Sequence, residues 1–160
     1  MSSVGEDGHL HKYACSLSWR GSTVDGYEAY SRQHSVVVAP SEIELRLSAD
    51  PVFRGDAAEL NPEQLLLVAA SSCQLLEFLA LAARSRVAVI SYEDRASASM
   101  DERARPPKVT EIRLSPSITV ARETDATRVE RLVEKAHAGC YIANSLKCAM
   151  EIDPVIRHET

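Results

Sequence analysis

An α+β fold, with helices packed on largely antiparallel sheet, follows from three features of this sequence. One long stretch rich in Leu and Ala, Asn61 to Ala83, has the character of a single helix. Segments of alternating apolar and polar residues flank it on both sides, as half-buried strands do. A second helical stripe (Val129, Leu132, Val133, Ala136) then recurs at i, i+3, i+4, i+7 before a last strand-like segment.

At 160 residues the chain fits one domain, expected over residues 12–160 behind a polar, glycine-containing tail at 1–11. A net charge of -5 without any basic run argues against a nucleic-acid partner. The first residues lack the basic start and apolar run of a signal peptide, so a cytoplasmic location is expected. There the four cysteines stay reduced, and their even number is no sign of a disulfide framework. Cys15, Cys73, Cys140 and Cys148 are also too scattered for a zinc ribbon or a CxxC motif.

Taken in order, Tyr13 to Trp19 reads as a strand and Gly21 to Gly26 as a turn. Tyr30 to Ala39 reads as a second strand, with Tyr30, Arg32, His34, Val36 and Val38 on one face. Arg32 thus shares a side with two valines, an odd place for a charge unless it has a buried task. From pattern alone, an edge-strand arginine snorkelling to water is the favoured reading. Ile43, Leu45 and Leu47 alternate with charged residues in a third strand. The loop from Asp50 to Leu60 then delivers the chain to the long helix.

Asn61 suits the helix cap, Pro62 its first turn, and Glu63 the positive end of its dipole. Apolar residues on nearly every face predict a helix buried all round, which a partner subunit would help to cover. The stretch is long enough for a membrane span, but Ser71, Ser72, Gln74 and Glu77 interrupt it, and a buried soluble helix is expected. Val87 to Met100 reads as one strand or a bent pair. Val109 to Ala121 is another, where Pro116 predicts a bulge or an edge position. Thr124 or Asp125 caps the last long helix, whose stripe, extended by four residues, turns Cys140 inward. Tyr141 to Cys148 predicts a further helical turn or two, and Ala149 to Ile156 a closing strand.

Cys73 is the candidate nucleophile. It sits inside an apolar helix, where burial alone makes a thiol inert and where a lone cysteine is usually a small hydrophobe. Reactivity needs a nearby cation. Arg32 is the obvious supplier, with Glu63 to fix the guanidinium through a bidentate pair and Cys140 as a resolving thiol. Spacing alone proves none of these roles.

The sequence resembles the OsmC/Ohr family of thiol-dependent hydroperoxide reductases, from about Trp19 to the C-terminus. The carriers are Asn61-Pro62-Glu63-Gln64-Leu65 with Cys73 ten residues after the glutamate, and Ala136-His137-Ala138-Gly139-Cys140 downstream. Tyr30-Ser31-Arg32-Gln33-His34 stands where the family places its active-site arginine, with Arg54 a competitor. The resemblance implies an intertwined homodimer with long central helices and two active sites at the subunit interface. It makes Cys73 the peroxidatic residue and Cys140 its resolving partner, with Arg32 and Glu63 lowering the thiol pKa and orienting the peroxide. It further implies a hydroperoxide substrate, organic above all, and a dithiol such as a dihydrolipoyl group to restore the thiols. No metal, haem or flavin takes part.

Over a continuous helix Glu63 and Cys73 lie about 15 Å apart along the axis. Either the helix breaks, or Arg32 bridges part of the gap, or Glu63 serves a partner's site. The segment Tyr141-Ile142-Ala143-Asn144-Ser145 lacks the proline-containing continuation of the organic hydroperoxide branch, and Ser71-Ser72 precede the first cysteine. The chain therefore stands nearer OsmC or a general OsmC-like subgroup.

Cys15 and Cys148 read as buried thiols without a role, although Cys148 lies near enough in sequence to Cys140 to offer an alternative disulfide. His137 and Cys140 have a spacing that binds metal on a helix, but two ligands do not make a site. Phe53, Tyr92 and Phe78 are candidates for an apolar pocket, with ordinary core packing the better expectation for each. A different class of function, a non-catalytic dimeric protein binding a small apolar or acyl ligand at its interface, stays open beside the enzyme.

Overall fold

The computed structural model describes residues 10–160, so the tail expected at 1–11 lies almost wholly outside the described residues. The chain forms two compact units that meet in sequence between Gln64 and Leu65.

The first unit carries an antiparallel sheet of β1 (Cys15–Ser18), β2 (His34–Val38) and β3 (Glu44–Leu47), in that order. β2 starts at His34 rather than at the expected Tyr30. Its partner β1 ends with Ser18 opposite Ser35, so residues 30–33 have no strand to pair with. Their carbonyls are taken by side chains instead: the Trp19 indole N–H donates to Ser31 (2.7 Å) and the Arg32 guanidinium to Tyr30. Arg32 is therefore a loop residue, not one of a strand face.

Beyond β3 the chain makes a short 3-10 turn at Pro51–Phe53, started by the Asp50 carboxylate accepting from the Val52 N–H at 2.9 Å. Gly55 follows where no other residue fits, since a Cβ there would lie 1.6 Å from the Ala49 carbonyl oxygen. A parallel bridge from Leu47 to Leu60 then aims the chain into α1 (Pro62–Arg84). Asn61 closes a capping box. Its side-chain oxygen accepts from the Gln64 N–H (2.8 Å), and the Gln64 side chain accepts from the Asn61 N–H (3.0 Å).

The second unit holds the body of α1 and two three-stranded sheets. One has the order β4 (Val89–Asp94), β7 (Pro116–Val120), β9 (Val155–His158). The other has β5 (Ser97–Asp101), β6 (Lys108–Leu114), β8 (Ala149–Ile152). β4–β7 and β5–β6 are antiparallel, but β7–β9 and β6–β8 are parallel. The sheets are mixed, not largely antiparallel. The reason lies between β7 and β8, where α2 (Ala126–Gly139) and α3 (Tyr141–Ser145) form the crossover that a parallel return requires. Alternation along a strand does not report the direction of its neighbour.

Val87 to Met100 is indeed a bent pair. At the break the Asp94 carboxylate accepts from the Ser115 N–H (2.8 Å) and the Ser71 hydroxyl (2.5 Å). Pro116 is fully buried and opens β7, the central strand of its sheet. The edge or bulge expected there is not found. A strand's first residue tolerates the missing donor, and Ser115 beside it bonds a side chain.

α1 buries one stripe: Ala70, Gln74, Phe78 and Ala82, four residues apart. Phe78 and Ala82 pack with Val129, Val133 and Ala136 of α2 and with Ile118 and Val120 of β7. Ala70 packs with Ile112 and Leu114 of β6. Burial all round is not met within the chain. Val68 (58 % exposed) and Leu76 (64 %) face outward, because the unit supplies a packing layer for one side of the helix only. By length and mean hydropathy α1 also meets the test for a membrane span, yet it places the fully buried Gln74 against α2, with the side-chain amide donating to the Val133 carbonyl at 3.2 Å.

Candidate active site

Two cysteines far apart in sequence meet in the second unit. Cys73 sits half-buried midway along α1. Cys140 is fully buried at the joint where α2 ends and α3 begins. Asp125 starts α2 by accepting from the Thr127 N–H (3.0 Å), and the stripe of Val129, Val133 and Ala136 turns inward as its spacing predicts. The helix runs through Gly139, so Cys140 arrives on the inner side. There the chain becomes extended: the Cys140 N–H donates to the His137 carbonyl at 3.3 Å, and its Sγ accepts from the Ala143 N–H at 3.4 Å.

The thiols of Cys73 and Cys140 lie near one another, and both are free. Burial pushes the Cys140 thiol above its ordinary value. The Ala143 N–H opposes this, and the Cys73 sulfur adds to it both as a hydrogen-bond partner and as a negative charge.

Asn144 is a residue the sequence reading missed. Its side-chain amide donates to the Ala138 carbonyl (2.9 Å) and to that of Cys140 (3.0 Å), tying α3 back to the end of α2. Its position four residues after Cys140 was the available signal, because a short amide near a helix end often satisfies free carbonyls.

Arg32 and Glu63 lie in the first unit. The Arg32 guanidinium is folded onto its own loop, 3.8 Å from the Tyr30 ring centroid and 4.5 Å from that of Tyr27. It donates to the carbonyls of Tyr30 and of Tyr27, the latter at 2.5 Å. Arg32 and Glu63 share, with Trp19, Tyr30 and Phe53, the wall of a largely apolar cavity of about 450 Å³. They line it without the expected ion pair, since two backbone carbonyls and two rings already occupy the guanidinium. Arg54 instead pairs with Glu28 and has left-handed backbone (φ 65°).

Within α1 the helix is unbroken from Pro62 to Arg84, so a break between Glu63 and Cys73 is ruled out. Cys15 is exposed on β1 rather than buried, because that strand lies at the edge of its sheet and all four of its residues face solvent. Cys148 is half-buried against the Ala70–Ile112–Leu114 cluster. The three aromatic candidates separate: Phe53 lines the cavity of the first unit, whereas Phe78 is core. Tyr92 stacks on Phe78 with ring centroids 5.8 Å apart. Among the described residues no group of three or more His, Cys, Asp or Glu side chains is placed to hold a metal ion.

The family model of OsmC-like proteins matches residues 55–155, which include both cysteines and the whole of α1, α2 and α3. The chain belongs to the OsmC-like family. No curated protein matches the sequence. Among solved structures the OsmC-like fold recurs in an OsmC-like protein of unknown function from Vibrio cholerae, at TM-score 0.82 and 24 % identity, over 91 % of this chain and 100 % of that one. It recurs in an organic hydroperoxide resistance protein from Elizabethkingia anophelis, at TM-score 0.70 and 15 % identity, over 94 % of this chain and 98 % of that one. A third, an organic hydroperoxide resistance protein from Legionella pneumophila, aligns at TM-score 0.67 and 15 % identity, over 92 % and 98 %. At these identities the likeness carries the fold, one long helix with three sheets. The family and the paired cysteines are consistent with a redox-active OsmC/Ohr-type protein.

Proposed function

We propose that this protein is a thiol-dependent peroxidase that reduces organic hydroperoxides. The observation that carries the reading is the nearness of the free thiols of Cys73 and Cys140. Cys73 as thiolate attacks the terminal peroxide oxygen; the O–O bond breaks, the alkoxide leaves as an alcohol after taking a proton, and Cys73 becomes a sulfenic acid. Cys140 attacks that sulfur, forming the Cys73–Cys140 disulfide and releasing water. A dithiol then reduces the disulfide by exchange. Structural relatives named for organic hydroperoxide resistance support the choice of substrate.

Arg32 and Glu63 complete the site in this reading, favouring the Cys73 thiolate and orienting the peroxide. About 15 Å of continuous helix separates Glu63 from the cysteine of its own chain, so Glu63 serves a partner subunit's site in a homodimer. The outward apolar residues Val68, Leu76 and Leu79 of α1 support that dimer. The location proposed is the cytoplasm, where thiol reductants are at hand.

Mass spectrometry after one equivalent of cumene hydroperoxide tests the reading, beside Cys73→Ser and Cys140→Ser variants. The expected result is loss of two hydrogens mapped to a Cys73–Cys140 bridge, with a sulfenic acid trapped in Cys140→Ser. Wild-type protein that stays reduced while an ordinary peroxidase reacts would replace the enzyme with a binding protein. The apolar cavity lined by Trp19, Tyr30 and Phe53 favours that second reading, with a small apolar or acyl ligand.

A further inference from the structure

Cys140 must lose a proton when it attacks Cys73, and its surroundings oppose that loss. The thiol is buried, and burial disfavours its charged form. Closure near neutral pH therefore calls for a base at the joint of α2 and α3.

Glu77 is placed there. It lies one helical turn after Cys73 on α1, hence on the same face. Its Oε1 lies 3.3 Å from where a Cβ on Gly139 would stand, against the residue that precedes Cys140. The side chain is half-buried, and none of the ion pairs among the described residues engages it. Gly139 leaves the carboxylate its room. Also titratable at the joint are Cys73 on α1, His137 on α2 and Tyr141, which opens α3 and is 81 % exposed. The link from His137 to Cys140 runs through its backbone carbonyl, and its Nδ1 is buried without a partner.

We propose that Glu77 is the proton acceptor for Cys140 when the Cys73–Cys140 disulfide closes. This rests on the two cysteines forming a redox pair, but not on the identity of the oxidant. With Cys73 as sulfenic acid, the Glu77 carboxylate takes the Cys140 proton, directly or through one water. The Cys140 sulfur then forms the S–S bond as the S–O bond breaks, and the proton passes to the departing hydroxide to give water. Glu77 ends as it began, and the two electrons of the new bond come from the Cys140 sulfur.

The test replaces peroxide with dithiobis(nitrobenzoate), so that it reads closure even if the protein reduces no peroxide. In a full-length Cys15→Ser/Cys148→Ser parent, Cys73 displaces one thionitrobenzoate and carries the other as a mixed disulfide. Attack by Cys140 releases the second, and Cys140→Ser stops after the first. At pH 7, Glu77→Gln is expected to slow the second release about 100-fold with the first release unchanged. The deficit should shrink as rising pH lets hydroxide ionise Cys140 instead. Gly139→Ala, which displaces the carboxylate while favouring the helix, should slow the second phase in the same pH-dependent way. A second release in Glu77→Gln that is as fast as the parent's, faster, or slower by one factor at every pH would overturn the proposal. So would a parent that never makes the second release. Peroxide inertness with normal closure would instead defeat the peroxidase reading alone.

Discussion

The side-chain amide of Asn144 donates a 3.0 Å hydrogen bond to the carbonyl of Cys140, and a second to Ala138 at 2.9 Å. The cysteine is thus held from the far side of the helix joint, by a residue that never meets its sulfur. Asn144→Ala should take a donor from the Ala138 carbonyl and leave that of Cys140 with the Asn144 N–H alone, at a cost of about 1 kcal/mol in urea unfolding of the reduced protein. Disulfide closure should slow as well, because Cys140 would lose the constraint that presents it. Unchanged stability together with unchanged closure would deny Asn144 that part.

The raised thiol of Cys140 predicts an alkaline weakness. Its folded pKa exceeds the ordinary value of 9.0, so the folded state holds this proton more tightly than the unfolded chain does. The resulting stability is whole below the ordinary value and is lost as pH rises from there through the raised folded one. Urea midpoints of reduced protein should therefore fall from about pH 9 upward, and Cys140→Ser should flatten that decline. The hydroxyl of Tyr92, raised by burial and by Asp94, contributes in the same direction at higher pH.

Leu76 stands outward on α1, 64 % exposed, in an otherwise apolar neighbourhood with Leu79 and Val68. If that face joins two copies of the chain, Leu76→Lys would bury a charge at the contact without touching the buried stripe. Sedimentation should then show a monomer whose circular dichroism is that of the parent. A dimer of undiminished affinity would place the interface elsewhere.

Asn61 is buried and caps α1 through the Gln64 N–H. Asn61→Ala should cost about 1 kcal/mol. Asn61→Ser should restore most of it by accepting the same bond, whereas an aspartate would face the Asp50 carboxylate that now accepts from the Asn61 amide at 3.4 Å. Denaturant unfolding of the reduced protein separates the two. Equal losses in both variants would point away from capping.

Much of this architecture was legible in the chain because it rests on local chemistry. The cap at Asn61, the stripe of Val129, Val133 and Ala136, and the inward turn of Cys140 all follow from residue spacing along one helix. Less legible were features that depend on what lies alongside. Arg32 seemed to belong to a strand face because Tyr30 to Val38 alternates, yet β1 ends too soon to pair with it and the rings of Tyr27 and Tyr30 take the guanidinium. Pro116 suggested an edge, and it opens a central strand.

By itself the sequence determined the two long helices, their caps, the family resemblance and the two thiols worth watching, but it ran β6 into β7 and β8 into β9, whose members lie in different sheets. Helix periodicity and hydrogen-bond chemistry act over a few residues and need no distant partner. Tertiary structure alone decided that β8 and β9 return parallel and that Arg32 and Glu63 line one cavity without pairing. It also decided that Cys73 and Cys140 lie near one another and that Glu77 lies against Gly139. Each of these joins residues distant in the chain, and such contacts are set by how helices and sheets pack, which no local pattern encodes.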